Sequence, residues 1–361
     1  MKIDAIELKH YRNYEETRIE FDEGINIFYG DNAQGKTNIL EAVYLAGTSK
    51  SHRGSRDREL ISFGQEESHI KMFVNRENRT ERVDIHLKKS KSKGIAINGI
   101  PIRKASELFG IVNVVFFSPE DLQLIKSGPG ERRKFIDLEL CQLDKIYVYH
   151  LVNYNKALIQ RNTLLREQYG SAGLPMQLDV WDAQLIRFGT PMIAARAAFL
   201  QKLAGIIRTI HGSLSGGKEE LEILYEPSAS AEEFAKQLFS ARERDMRQKG
   251  TTVGPHRDDI SFSVNGIDIR KFGSQGQQRT AALSVKLAEI QLVKELIHDT
   301  PVLLLDDVLS ELDENRQNQL LNSIHGIQTM ITCTGLDDFV DHRFQMDKVF
   351  HVVNGTVERE N

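Results

Sequence analysis

The sequence predicts an α/β fold in which a phosphate-binding head is interrupted by an inserted helical arm. Three observations carry that expectation. Residues 1–117 read mostly as strands around the motif Gly30-x-x-x-x-Gly35-Lys36-Thr37. Residues 118–249 turn helical. Residues 250–361 return to alternating helices and strands, with an apolar run that ends in Asp306-Asp307. Period-two and period-3.6 hydrophobic patterning separates these textures.

The 361 residues are 40% hydrophobic and 27% charged, enough for two domains with a real core. A net charge of -4 gives no bulk field, so any argument for an acidic partner rests on local clusters. Cys141 and Cys333 stand far apart without a CxxC, as buried reduced thiols would. No apolar run approaches the ~18–20 residues that span a bilayer. The start "MKIDAIELKHYRNY" carries charges where a signal peptide is apolar, which reads as a cytosolic protein.

Taken in order, "KIDAIELKHY" and "EETRIEF" alternate with period two, and "GINIFYG" is a short buried-strand run. "KTNILEAVYLA" opens as a helix directly out of the glycine loop. "SHIKMFV", "ERVDIHLKK" and "GIAINGIPIR" follow, with Asn98-Gly99 as a hairpin signal. Residues 131–167 contain no Gly or Pro, and within them Ile136, Leu140, Leu143, Tyr147, Leu151, Tyr154 and Leu158 are spaced three and four apart. That spacing predicts one helix about 55 Å long. The turn "YGSAGLP" and a second helix from Met176 to about Ser213 would lie antiparallel to it, and "SAEEFAKQLFSARERDMRQ" adds a third. Either a plain helical subdomain or a lever-like arm fits this pattern. Beyond Gly250, "DDISFSVNGIDIRKF" is a hairpin around Asn265-Gly266, "QGQQRTAALSVKLAEIQLVKELI" a long helix and "PVLLLDD" a buried strand. "ENRQNQLLNSI", "TMITCTG" and "KVFHVVNGTVE" give a helix–strand–strand ending.

The glycine loop has a direct physical reading. Glycines let successive N–H groups of Gly30, Asp31, Asn32, Ala33, Gln34 and Gly35 point inward at phosphate oxygens, and the following helix adds its positive dipole end. Lys36 would reach the β- and γ-phosphates, and the Thr37 hydroxyl would ligate Mg²⁺. Asp306 is placed at a strand end to hold the Mg²⁺ hydration shell, and Asp307 to orient or deprotonate an attacking water. Alone, two acids at a strand end are equally a solvated edge or an N-cap pair. With the glycine loop they are nucleotide machinery.

Spacing decides the subclass. In small GTPases and nucleotide kinases these two elements lie within one compact domain, but here about 270 residues intervene. Some 30 residues before the acids, Ser274, Gln275, Gly276 and Gln277 open a helix with an anion-binding first turn. Its natural use is to cover the γ-phosphate of a second copy; an ordinary N-cap serine is the alternative.

These three elements resemble the nucleotide-binding heads of ABC ATPases, and "SELD" (Ser310 to Asp313) resembles the loop that follows the second element there. The resemblance is closest to the RecF family, bacterial recombination mediators related to the structural-maintenance-of-chromosomes proteins. "LKHYRNYEE", "GDNAQGKTNILEA", "SHRGSRDREL", "FFSPEDLQLIKSGPGERRKFID", "TVGPHRDD", "GSQGQQRTAALSVKLAE" and "LLLDDVLSELD" carry it nearly end to end. It implies ATP sandwiched between two heads, with Ser274 and its neighbours acting on the other copy. It places Arg12 and Asn13 close to the phosphates, Ser118 to Asp121 at the join of head and arm, and Arg53 as a DNA-sensing arginine. It further implies single-strand gaps or stalled forks as the place of work, RecR as direct partner, RecO and RecA in the same pathway, and a link to the SOS response. Two departures stand out. Asp307 replaces the glutamate of transporter cassettes, and "TMITCTG" has Thr332 and Thr334 where transporter heads often carry a histidine. Both suggest slow hydrolysis, with ATP as a clamp signal.

The window Lys88 to Lys104 contains six Lys/Arg and no acid, and Lys50, Arg53, Arg56 and Arg58 stand against one Asp57. Each cluster alone would be a solvated surface. Together with the family resemblance they suggest a basic face, including Lys88, Lys89, Lys91 and Lys93, that binds backbone phosphates. Sparse aromatics favour duplex or duplex junctions over stacked single strands. The resulting expectation is an ATP-dependent homodimeric DNA clamp without membrane contact. A transporter-associated cassette is disfavoured by the arm, by "GPHRDD" and by the basic windows. A chromosome-organising protein would need a much longer arm.

Overall fold

Alternating side chains turn the first stretch of the chain into strands that bury one face. In the computed structural model, which describes residues 1–76, 79–168, 171, 173–336 and 346–360, β1 (Lys2–Tyr11), β2 (Tyr14–Glu20) and β3 (Ile25–Tyr29) precede α1 (Lys36–Thr48). Next come β4 (Glu67–Arg76), β5 (Arg79–Lys88), β6 (Gly94–Ile97), β7 (Ile100–Pro101) and β8 (Val114–Phe117). Six of these form a sheet in the order β2-β1-β4-β5-β6-β7, antiparallel throughout. Ile70, Met72 and Val74 of β4 and Val83, Ile85 and Leu87 of β5 are buried on one face, as period-two alternation requires. The expected hairpin at Asn98-Gly99 is present, with both residues at positive φ (53° and 81°) and Ile97 opposite Ile100.

The next unit, Leu122–Ala288, holds α2 (Leu122–Lys126), α3 (Pro129–Leu143), α4 (Lys145–Glu167) and α5 (Leu174–Leu214). It continues with β9 (Leu221–Glu226), α6 (Phe234–Ser240), α7 (Arg242–Gln248), β10 (Asp259–Val264), β11 (Ile267–Asp268) and α8 (Ile269–Phe272). α9 (Gln275–Ile297) has its first part here, up to Ala288. The single helix expected across residues 131–167 is two. Asp144 adopts an extended conformation (φ -139°, ψ 109°) and its side chain accepts a hydrogen bond from Ile146 N, so it caps α4 and breaks the run. An apolar stripe records burial and is blind to such a cap. The long element is α5, whose 41 residues span about 60 Å. It runs antiparallel to α4: Arg161 bonds Asp182 (2.6 Å), Tyr154 lies against Gly189, and Tyr147 bonds Arg196 (3.0 Å). Leu164 and Leu165 close the hairpin against Leu174 and Leu178. Tyr169, Gly170 and Ala172 of the expected turn lie outside the described residues.

Two further expectations change. The third helix is split at Ala241 into α6 and α7. "LEILYE", not read as a strand, becomes β9 and pairs with β10 in a small sheet β11-β10-β9. β9 satisfies backbone groups that the β10–β11 hairpin leaves open, a partner that single-segment patterning does not reveal. By compactness the second unit runs through Ala288, so the helix start at Ser274 groups with the helical unit.

The first unit is completed by Glu289–Asn361, with β12 (Val302–Asp306), α10 (Glu314–Ser323), β13 (Thr329–Cys333), β14 (Lys348–Val353) and β15 (Thr356–Glu360). Their sheet has the order β15-β14-β3-β13-β12-β8, and the five strands from β14 to β8 are parallel. α1 packs against β4 and β5 of one sheet and β8, β12 and β13 of the other, which explains why it is buried nearly all round. Parallel pairing brings the carboxyl ends of β3, β13 and β12 to one edge. That edge is where ligands sit in such sheets. Cys141 and Cys333 are free and buried, and no helix among the described residues is long and apolar enough to cross a membrane.

Candidate nucleotide-binding site

β3 delivers the chain to Gly30, whose φ of 146° excludes most side chains; a Cβ there would sit 2.4 Å from the Val352 carbonyl oxygen. Gly35, the N-cap of α1, has φ 116°, and a Cβ would meet Asn13 Nδ2 at 2.5 Å and Tyr14 Oη at 2.9 Å. Both glycines are therefore demanded by backbone conformation and by close approach. Lys36 is buried, and its ammonium donates to the carbonyls of Gly30 (2.7 Å) and Asp31 (2.9 Å). Those bonds tie the loop across its own mouth and hold the cation at the phosphate-facing centre.

The acids lie across the sheet edge. Thr37 Oγ1 donates to Asp306 Oδ1 at 2.6 Å, and Thr332 Oγ1 donates to the same oxygen at 2.8 Å. The register of β13 between β12 and β3 places Thr332 beside Asp306 and Phe28. Thr332 Oγ1 also accepts from Asp307 N at 3.0 Å, and Ser310 Oγ donates to the Asp307 carbonyl at 2.9 Å. Asp307 is held at φ 50°, in the left-handed region that is uncommon for residues other than glycine and that aspartate tolerates better than most. Burial raises the Asp306 pKa, with Asp307 adding to the rise, while Thr37, Thr332 and Arg53 pull it down. A hydroxyl and a carboxylate in contact, all-oxygen and beside a second acid, form a donor set that suits Mg²⁺.

A second ring of side chains holds the loop. Asn13 Nδ2 donates to the Gln34 carbonyl (2.8 Å), its Oδ1 accepts from Asn38 Nδ2 (2.8 Å), and Tyr14 Oη donates to the Gly35 carbonyl (3.0 Å). From the other side Asn354 N donates to Gln34 Oε1 (2.6 Å) and Gly355 N to the Gln34 carbonyl (3.1 Å). Arg12 makes a two-pronged ion pair with Glu41 (2.8 and 2.9 Å) and also donates to Ser55 Oγ (2.8 Å) and the Glu59 carbonyl (3.0 Å). Ser51 Oγ donates to Glu41 at 2.6 Å. Burial pushes the Glu41 carboxyl up, but the bonds from Arg12 and Ser51 outweigh it and hold it below the usual range. Arg12 thus braces α1 to the loop that bears Arg53, which is itself exposed. Glu41 and Tyr14 were not picked out from sequence. A lone acid in the apolar run "NILEAVYLA" was the available signal for Glu41; Tyr14 had none.

Ser274, Gln275 and Gly276 are exposed. Ser274 Oγ accepts from Gln277 N (3.2 Å), and Gln277 Oε1 accepts from Ser274 N (3.0 Å), a reciprocal capping box. Gln277 Nε2 donates to Glu219 at 2.9 Å. The N-cap alternative for Ser274 is therefore realised, and the backbone faces of Gln275 and Gly276 remain open to solvent.

The basic windows are less segregated in space than in sequence. Lys88 pairs with Glu67 (3.5 Å), Lys89 with Glu66 (3.2 Å) and Lys93 with Asp57 (2.9 Å), while Lys93 also donates to the Ser49 carbonyl (2.6 Å). Antiparallel pairing of β4 and β5 sets Glu67 opposite Lys88, which a linear count of charges does not register. Lys91, Arg53 and Arg56 are exposed and form no side-chain ion pair among the described residues.

Comparison with known proteins agrees with this geometry. Residues 2–358 match the family described as RecF/RecN/SMC N terminal domain. The "DNA replication and repair protein RecF" of Lachnoclostridium phytofermentans is 59% identical over 359 residues, covering 99% of this chain and 100% of that one. A solved structure of the recombination mediator protein RecF with ATP, in the RecFOR pathway, is 35% identical with a TM-score of 0.93, covering 99% and 97% of the two chains. The Smc head domain of Pyrococcus furiosus shares the fold alone, at 17% identity and a TM-score of 0.59 over 99% of this chain and 95% of that one. A parallel sheet carrying a phosphate loop and a distant acid pair, with a long-helix insertion and this full-length likeness, has one meaning: the chain belongs to the RecF family of DNA replication and repair proteins.

Proposed function

We propose that this chain is an ATP-driven switch of DNA repair, in which two copies close on two nucleotides and clamp DNA, and slow hydrolysis reopens them. The observation that carries the reading is the 2.6 Å contact between Thr37 and Asp306, made from positions 269 residues apart. It joins the phosphate loop to the acid pair inside one unit. In this reading the loop amides and Lys36 hold the triphosphate of ATP, Lys36 exchanging its two carbonyl partners for phosphate oxygens. Thr37 and Asp306 would hold Mg²⁺, which supplies charge neutralisation when bound. Asp307, kept in place by Thr332 and Ser310, orients and deprotonates water. Asn13 and Tyr14 keep the loop open, and Arg12 holds the Arg53 loop against α1.

The exposed N–H groups of Gln275 and Gly276, with the Ser274 hydroxyl, would cap the γ-phosphate bound by the other copy. Arg53, Arg56 and Lys91, with Lys88, Lys89 and Lys93 once drawn from their acids, would bind duplex phosphates at single-strand gaps or junctions. RecR is the direct partner in this reading, with RecO and RecA acting in the same cytoplasmic pathway toward RecA loading and the SOS response.

Sedimentation tests it. The chain at micromolar concentration should dimerise with ATP and Mg²⁺ and not with ADP or without nucleotide. A Ser274→Arg variant should bind ATP yet stay monomeric. A wild type that remains monomeric with ATP would refute the shared-nucleotide arrangement.

A further inference from the structure

We propose that Glu67, His69 and His86 form a binding site for a single divalent transition-metal cation of the zinc type. The site is separate from the phosphate loop and lies on the solvent-facing side of β4 and β5. Antiparallel register sets His69 directly opposite His86, and Glu67 precedes His69 by two residues on the same face. The two imidazoles stack at 4.0 Å with planes 23° apart. Both offer Nε2 to one carboxylate: His86 Nε2 is 3.0 Å from Glu67 Oε2, and His69 Nε2 is 3.6 Å from Glu67 Oε1. One ligand atom from each residue falls within 4.8 Å of the others.

Those separations run to the two different oxygens of Glu67 and lie close to what a metal needs. Tetrahedral bonds of 2.0–2.1 Å place neighbouring ligand atoms about 3.3 Å apart, between the two distances observed. A pair of imidazoles with one carboxylate selects zinc-like ions over magnesium, whose sites are built from oxygen. Two paired strands fix the three backbone positions, and binding turns the stacked rings until both Nε2 lone pairs meet one ion. The fourth position faces solvent and would carry water, as in open three-ligand sites.

Besides Lys71 and Asp84, opposite each other on the next rung of the same face, the charged neighbours are Lys88, 3.5 Å from Glu67, and Lys9, which faces His69 from β1 and leans to Glu16 at 3.6 Å. Both oppose a cation and weaken it to the micromolar range. They also give occupancy a consequence. Glu67 cannot satisfy the metal and Lys88 equally, so a bound ion releases Lys88, at the end of β5, toward solvent. That last step alone rests on the DNA-clamp reading; metal binding does not.

The test is calorimetric titration of Zn²⁺ into the untagged full-length chain, paired with visible absorption on adding Co²⁺. The expected result is one site per chain of about micromolar affinity, with tetrahedral Co²⁺ bands. His69→Ala and His86→Ala should each weaken binding at least tenfold, and Asp306→Asn should leave it intact. All three ligands are at least partly exposed, so thermal unfolding of the variants in chelator should match wild type. No saturable binding by about 100 µM free Zn²⁺, undiminished binding in the His69→Ala/His86→Ala double variant, or loss only in Asp306→Asn would each overturn the site.

Discussion

The loop Gly30–Thr37 is braced by side chains and amides from three other segments, whereas at Ser274–Gln277 the helix start is held by its own first turn and by Glu219. Both are helix starts that present N–H groups. The difference is preorganisation. The loop proposed to receive a triphosphate within its own unit already has its lysine bonded to two loop carbonyls and its hydroxyl bonded to the carboxylate. A capped and exposed helix tip has its remaining donors turned outward, which suits a ligand brought by another molecule.

The largest expected effect that sharpens this contrast is at Lys36. Lys36→Ala removes the buried ammonium and should lower ATP affinity about a hundredfold, read by titration with a fluorescent analogue. Next is the brace under the loop. Glu41→Ala leaves the Arg12 guanidinium without its two-pronged partner and should cost about 3 kcal/mol of stability in urea unfolding. By contrast, Ser274→Ala removes only a self-made cap and should cost about 1 kcal/mol. If the two losses were equal, the claimed difference in construction would be wrong.

Each unit also holds a histidine that burial keeps neutral. Burial lowers His52 to about 4 in the first unit and His256 to about 4 in the second, from an ordinary 6.5. His256 is fixed by Tyr154 Oη at 2.7 Å and the Thr251 carbonyl at 3.0 Å. Because the unfolded chain binds these protons first, stability is full above about pH 6.5 and falls as pH drops toward 4. Urea midpoints between pH 7 and 4.5 should show it, and His256→Gln should flatten about half of the slope. The smallest effect is on the surface. Neutralising Lys91, which forms no ion pair among the described residues, should reduce the salt dependence of duplex affinity by about one ion, more than neutralising Lys89, which is partly held by Glu66.

Much of the site was legible because short-range chemistry defines it. Gly30, Gly35, Lys36 and Thr37 follow from the geometry of a phosphate cradle, and Asp306 and Asp307 from an apolar run ending in acids. The buried strands were legible as apolar runs, but their parallel pairing and the insertion of β13 between β3 and β12 were not. That order turns Thr332 from a noted threonine into the bridge between Asp306 and Asp307. Asp144 shows the opposite failure: one polar side chain inside a continuous stripe ended a helix that periodicity extended. The charge count around Lys88 failed for a third reason, since Glu66 and Glu67 meet the lysines only through strand register. Local patterns were readable; pairings across the chain were not.

The most direct test of the central claim mixes two variants, each defective in a different half of the proposed shared site. Lys36→Ala lacks the cradle lysine and Ser274→Arg lacks the helix tip. If each nucleotide is held by the cradle of one copy and the tip of the other, a mixed pair contains one complete site. Sedimentation with ATP should then show a heterodimer in the mixture, while neither variant dimerises alone. Absence of any heterodimer, or a Ser274→Arg chain that dimerises as tightly as wild type, would contradict the account.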